Sequence, residues 1–246
     1  MSTIAALLFA SASLISQSTG NGLRLLDQNK KFSVSVYGTF ISSSELQNNA
    51  KAFDSFERNA TVPLGGGYGY GTELNYKPEL LDLNLTFYLS SEYFKLTQRD
   101  MYLHLEQGSN SANIAMTESF HVIPVELGLK WDLPVSTDRF KIYIGGGGGM
   151  YFGDRIRTLG TSLVSTTTYK KPGFSLNILT GLEYFLERNF SADFEFKFRE
   201  GSFDVESIFD RNFVTVNGNN FDLGNPIYSK IILDGVRISL GLRYSF

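Results

Sequence analysis

Residues 190–199 read Phe-Ser-Ala-Asp-Phe-Glu-Phe-Lys-Phe-Arg, so Phe190, Ala192, Phe194, Phe196 and Phe198 fall on one parity and Ser191, Asp193, Glu195, Lys197 and Arg199 on the other. Side chains of a strand alternate between its two faces, and this run predicts an extended strand with one apolar and one charged side. Two environments satisfy such a strand. A soluble sheet buries the phenylalanines, and a membrane barrel shows them to lipid.

The same alternation recurs about eight times. The predicted apolar faces are Phe32, Val34, Val36 and Phe40; Tyr68, Tyr70, Leu74 and Tyr76; Leu83, Leu85, Phe87 and Leu89; Ile123, Val125, Leu127, Leu129 and Trp131; Ile142, Ile144 and Met150; Phe174, Leu176, Ile178, Leu182 and Tyr184; the phenylalanine strand; and Ile232, Val236, Ile238, Leu240, Leu242, Tyr244 and Phe246. Short links near 78–82, 133–139 and 187–189 alternate with long ones near 43–64, 98–115, 155–170 and 201–228. That asymmetry is the one expected of short periplasmic turns and long outer loops.

Threaded up and down from a periplasmic start, the apolar faces place Phe32, Tyr76, Trp131, Phe140, Tyr184, Phe190, Tyr244 and Phe246 at one end, with Leu83 as the non-aromatic member. Amphipathic rings are most stable where water meets hydrocarbon, so these form a periplasmic aromatic girdle. The opposite parity carries Glu73, Lys77, Glu126, Lys130, Glu183, Asp193, Glu195, Lys197, Arg199, Arg237 and Arg243. In a narrow lumen these charges neutralise one another, whereas a soluble barrel holding an apolar ligand would turn its charges outward. The chain therefore reads as all-β, a transmembrane antiparallel up-and-down β-barrel of about eight strands.

Composition is compatible with this reading. With 42% hydrophobic residues the 246-residue chain looks like an ordinary soluble protein, as barrels do, because only alternate residues of a strand of about ten need be apolar. A net charge of -3 argues against a nucleic-acid partner, and the absence of cysteine excludes thiolate zinc sites and disulfide scaffolds. The apolar run Ile4–Phe9 followed by Ala10-Ser11-Ala12 predicts a signal peptide over 1–20. The barrel domain is expected over 31–246, with no second domain.

The stretches Ile123-Pro124-Val125-Glu126-Leu127-Gly128-Leu129-Lys130-Trp131 and Lys141-Ile142-Tyr143-Ile144-Gly145-Gly146-Gly147-Gly148-Gly149 resemble the outer-membrane β-barrel domain family of Gram-negative bacteria. The resemblance implies an eight-stranded barrel of the OmpA/OmpX type and no catalytic residues. The ending Leu240-Gly241-Leu242-Arg243-Tyr244-Ser245-Phe246 is similar to the C-terminal signal read by the barrel assembly machinery, which would be carried by Gly241, Leu242, Tyr244 and Phe246. Ten strands remain open, because Asn212–Val216 has the makings of another hairpin.

Relatives of the family include lipid A deacylases and palmitoyl transferases, and the one candidate triad has Glu106 or Glu118 orienting His104 toward Ser109. The deacylase spacing sets serine two residues after histidine, where this chain has Glu106. His104 is thus expected to be a surface histidine, and His121 a hydrogen-bonding residue of the lumen or rim. Two isolated histidines make no metal site, and no cofactor is implied. The glycines at 65, 66, 67, 69 and 71 and at 145–149 open no helix and lack a Lys-Ser/Thr ending, so they read as strand glycines admitting bulky neighbours.

Outer loops supply the remaining chemistry. Arg155, Arg157, Lys170 and Lys171 are expected near the outer leaflet, able to pair with lipopolysaccharide phosphates. Phe203, Ile208, Phe209, Phe213, Val214, Val216 and Phe221 either extend the barrel above the membrane or present a surface to an extracellular ligand. The expected function is an integral outer-membrane protein with a structural or surface-interaction role and no enzymatic activity. The alternatives are a narrow pore or conduit for small solutes or hydrophobic molecules and, more remotely, a lipid A-modifying barrel enzyme.

Overall fold

The computed structural model describes residues 30–246 except 49, 52, 79–83, 138, 161 and 162; the expected signal peptide and Leu83 lie outside the described residues. Its elements are β1 (Phe32–Ile41), β2 (Glu45–Gln47), α1 (Ser55–Asn59), β3 (Thr61–Pro63), β4 (Gly67–Tyr76), β5 (Leu85–Gln107), β6 (Asn110–Asp132), β7 (Phe140–Leu159), β8 (Leu163–Lys171), β9 (Gly173–Phe185), β10 (Phe190–Phe209), β11 (Phe213–Val216), β12 (Asn219–Asp222), β13 (Ile227–Ile232) and β14 (Gly235–Ser245).

Eight of these strands form an antiparallel ring. β1 pairs with β4, and the order then runs through β5, β6, β7, β9, β10 and β14. β14 returns to β1 with Val34 opposite Tyr244 and Phe40 opposite Ile238. The hairpin anticipated near Asn212–Val216 exists, as β11 with β12, but it is a separate two-stranded ribbon and leaves the ring at eight. Ile232, expected at the start of the last membrane strand, ends β13 instead.

Parity follows the sequence. In β9, Phe174, Leu176 and Ile178 are 78%, 72% and 65% exposed, while the alternate residues Ser175, Asn177 and Leu179 are buried. Water would penalise such an outer face by about 25 cal/mol for each Å² of apolar surface, and hydrocarbon does not. The outward faces of all eight ring strands share this character, so the ring is the membrane-spanning part of the molecule.

Two aromatic girdles bound the apolar belt. At the periplasmic end Phe32 packs on Tyr76 with ring centroids 5.0 Å apart, and Phe190 on Tyr244 at 4.9 Å. At the other end Phe40 meets Tyr68 at 5.2 Å and Tyr70 meets Tyr93 at 5.6 Å. Tyr76 and Tyr68 are eight residues apart along β4, about 26 Å of strand and about 20 Å of height at a tilt near 40°, close to the apolar band of about 25 Å found on such barrels.

The expected long outer loops are mostly strand, which corrects the sequence reading. β5 and β6 each run for 23 residues and β7 and β10 for 20, well past the upper girdle. Above it β8 replaces β9 beside β7 and β10, β13 replaces β14 beside β10, and β2 and β3 join the sheet. Alternation continues there, but a register shift between Gln98 and Met101 changes the inward parity of β5. Phe94 and Leu96 point inward below the shift and Leu105 above it.

This wall is filled by two apolar layers. The lower one gathers Ile41, Leu46, Leu64, Phe94, Leu96, Phe120, Val122, Tyr151, Phe203, Val205, Ile231 and Leu233. The upper one gathers Leu105, Met116, Leu159, Phe209, Phe221 and Leu223. Of the two roles open for the aromatic residues of the last long loop, extension of the barrel accounts for Phe203, Phe209 and Phe221.

Glycine admits the inward tyrosines. A Cβ at Gly71 would lie 2.6 Å from the Tyr37 ring, and one at Gly147 would lie 2.6 Å from the Tyr88 hydroxyl. The rings lie across neighbouring backbone that has no side chain to push them away. Gly38, by contrast, faces open space. The refolded protein is expected to be β-rich and to shift electrophoretic mobility on boiling. Gly38→Val should keep that shift and Gly71→Val should lose it, as read by mobility with and without boiling; equal behaviour of the two variants would refute the packing account.

Candidate functional site

Inside the ring, strands that present apolar residues to lipid necessarily present their other parity to the lumen. Glu73, Glu126, Lys130, Glu195, Lys197, Arg199, Arg237 and Arg243 are all buried there, with Asp193 half-buried beside them. Lys130 Nζ lies 2.7 Å from Glu73 and 2.9 Å from Glu195. Arg243 reaches Glu183 at 2.9 Å and Asp193 at 2.7 Å, and Lys197 reaches Glu126 at 2.7 Å. Arg237 bridges Glu195 at 2.7 Å and Glu92 at 2.8 Å. Each charge thus meets its counterion across the barrel, which offsets the cost of removing both from water. Lys77 sits at the periplasmic mouth, 3.8 Å from Asp132.

Several members of this network escaped the sequence reading. Glu92 lies beyond Leu89, where the lipid-facing pattern of the third strand stops, although Tyr88, Ser90, Glu92 and Phe94 continue one buried parity. The lumen tyrosines were missed as well. Tyr143 donates to Asp193 at 2.9 Å and to Glu195 at 3.2 Å, Tyr88 donates to Asn177 at 2.8 Å, and Tyr151 donates to Glu126 at 3.3 Å. Their parity on strands already recognised was the available signal. Arg199 closes the network at its upper end, 3.5 Å from Glu92 and facing the rings of Phe94 and Tyr151.

All eight girdle residues lie at one end of the ring. Phe32, Tyr76, Trp131, Tyr184, Phe190, Tyr244 and Phe246 are exposed, and Phe140 is half-buried. At the seam, Phe246 donates its N–H to the carbonyl of Phe32 at 3.0 Å, and Phe32 donates to Phe246 at 3.4 Å. Gly241 lies opposite Tyr37, and Leu242 and Tyr244 face outward on β14.

Above the membrane the expectations for basic residues divide. Arg155 and Arg157 do not reach the outer leaflet: they are 0% and 5% exposed, pointing into the extracellular wall, where both pair with Glu118. Their odd parity on β7, the parity of buried Tyr143 and Tyr151, is the physical reason. Lys170 and Lys171 are exposed, pairing with Asp154 and, at 3.9 Å, with Asp204.

The histidines are apart. Of the lumen and the rim, His121 takes the rim: it faces outward with its ring 6.0 Å from that of Tyr93 in the upper girdle. His104 lies on the exposed β5–β6 hairpin with Nδ1 2.8 Å from Asn113 Oδ1 and Nε2 3.0 Å from Glu106 Oε1. Both ring nitrogens are engaged, so the ring is not directed at Ser109, and Glu118 is buried with the two arginines. Among the described residues no three His, Cys, Asp or Glu side chains cluster as a metal site.

Two measurements check this geometry. Glu195→Gln removes one charge facing Lys130, Lys197 and Arg237, so it should destabilise the barrel by about 3 to 5 kcal/mol. The expected readout is a lower urea midpoint with an unchanged far-ultraviolet spectrum, and an unchanged midpoint would refute a stabilising role. The hydrogen bonds to Asn113, then Glu106, raise the His104 pKa above the usual histidine value. Because the folded value is the higher one, this contribution to the hairpin is complete below the unfolded pKa and is lost as pH rises through the folded one. An NMR titration of His104 should show the raised value, and Asn113→Ala should lower it.

No protein-family model and no curated protein sequence matches the chain. Among solved structures it is similar to the outer membrane protein OprG from Pseudomonas aeruginosa, with 12% identity, 88% of this chain and 96% of that one covered, and a TM-score of 0.54. Neisserial surface protein A matches with 14% identity, coverage of 87% and 97% and a TM-score of 0.43. The outer membrane protease OmpT from Escherichia coli matches with 7% identity, coverage of 89% and 98% and a TM-score of 0.49. Taken with the outward apolar belt, the two girdles and the closed ring, the likeness to OprG gives the chain its class: by fold it is a membrane-spanning β-barrel of the bacterial outer-membrane type.

Proposed function

We propose that the protein is a filled barrel that anchors a rigid extracellular platform, with a structural or surface-interaction role. The observation that carries this reading is the sequence of layers along the interior: ion pairs and tyrosines within the membrane, an apolar layer at the upper girdle, the Arg155–Arg157–Glu118 cluster, and a second apolar layer at the top. A pore needs a continuous wetted path, and two tightly packed apolar layers oppose one. The reading assigns no catalytic step and no cofactor.

The platform offers a contact surface of its own. Phe53 just before α1, Phe56 within it, Tyr102 on β5 and Phe213 on β11 are exposed beyond the upper girdle, where no lipid covers them. Exposed aromatic residues of this kind favour a macromolecular partner outside the cell. On this reading lipopolysaccharide surrounds the outer girdle. Gly241, Leu242, Tyr244 and Phe246, in the strand that closes the ring, serve as the signal for the barrel assembly machinery.

The refolded protein should leave planar bilayers electrically silent. Steady currents altered by substitution of Lys197 or Arg237 would establish the pore instead. Added to cells or extracellular matrix, the protein should bind, and a Phe53→Ser, Phe56→Ser and Phe213→Ser variant with intact heat-shifted mobility should bind about tenfold more weakly. Equal binding by that variant would remove the platform surface from the proposal.

A further inference from the structure

Between the two apolar layers of the extracellular wall lies a polar layer with more positive than negative charge. Glu118 is 0% exposed and is the carboxylate paired with both Arg155 and Arg157. Among the described residues no other carboxylate forms an ion pair with either arginine. Their remaining partners are neutral. Asn48 Oδ1 accepts from Arg155 Nη2 at 3.1 Å and from Arg157 Nη2 at 2.7 Å, and Ser229 Oγ accepts from Arg155 Nη1. Amide and hydroxyl dipoles solvate a guanidinium, but they do not cancel its charge, and a surplus charge enclosed in apolar surroundings is unfavourable.

A second observation lies on the adjoining strands. Ser165 and Ser207 are both 0% exposed, and their hydroxyls have no hydrogen-bond partner. Ser165 stands opposite Arg157 in the pairing of β7 with β8, and Ser207 stands opposite Thr167 in the pairing of β8 with β10. Two uncommitted O–H donors therefore share a level of the wall with the surplus positive charge. We propose that this layer is a binding site for a small inorganic anion of the halide class, held by Ser165, Ser207 and the field of Arg155 and Arg157.

The surroundings set the class. Phe120, Phe203 and Val205 lie below the layer, and Met116, Leu159 and Phe209 lie above it. A sugar or lipid headgroup does not fit an enclosed layer of this kind, and a metal cation is repelled by it. A halide accepts hydrogen bonds and donates none, which matches free hydroxyl donors. Above the membrane, burial first and then the neighbouring Arg155 charge pull the pKa of Arg157 down to about 10.

The test compares thermal unfolding of the refolded full chain in sodium chloride, sodium bromide and sodium gluconate at one ionic strength. Chloride and bromide should each raise the midpoint by about 3 °C over gluconate, against the general tendency of strongly hydrated, excluded anions to stabilise proteins. The Ser165→Ala, Ser207→Ala variant should retain its heat-shifted mobility and lose the difference. Arg157→Gln, which removes the surplus charge, should lose it too. Equal midpoints in the three salts, or a difference that persists in the serine variant, would overturn the proposal. In bromide-soaked crystals the anomalous signal is expected beside Ser165 and Ser207, and signal confined to the outer surface would count against it.

Discussion

In the hydrocarbon of a bilayer an unpartnered backbone N–H or C=O finds no water, and each such group costs on the order of several kcal/mol. A sheet meets that constraint only by closing on itself, since an open edge would leave a whole row of groups unsatisfied. The pairing of β14 with β1 is that closure. Once it exists, the two parities of every strand are assigned: one must suit lipid, the other must fill a space about eight strands around, which side chains can occupy completely.

Filling the space with charge has a further requirement, because a lone ion there would be unstable. Glu195 shows how it is met, touching Lys130 and Arg237 from two different strands while Tyr143 donates to it from a third. Higher up the solution changes. Above Arg199 the interior turns apolar, then polar around Glu118, then apolar again. The membrane section is held together by opposite charges and the extracellular section by packing, and the two meet where Phe94 and Tyr151 face the Arg199 guanidinium.

Much of the membrane section was legible in the sequence because its rule is local: a period of two, with aromatic residues at the lower end of each strand. Phe190, Tyr184 and Trp131 announce themselves in this way, as do the charges of β10. The extracellular wall obeys the same period, yet there polar outward residues such as Thr158, Thr166 and Thr168 replace the lipid-facing apolar row, and the contrast that marks a membrane strand disappears. The shift at Gln98–Met101 also breaks the parity count along β5. Arg155 and Arg157 consequently look like loop charges, although counting by two from Tyr143 and Tyr151 turns them inward. Which glutamate they share is a long-range fact of strand pairing and has no local signature.

The seam between Phe32 and Phe246 also bears on how the barrel comes into being. Its two partners stand at nearly opposite ends of the described residues, so its bonds are those of greatest sequence separation, the kind that slows folding most. Until β14 arrives, β1 and β10 each keep one edge unpaired along their membrane-spanning lengths. The half-made sheet then has two sticky edges and a greasy outer face at once, a state that neither water nor lipid accommodates. For a chain built in this way, the moment just before closure is the one most open to aggregation.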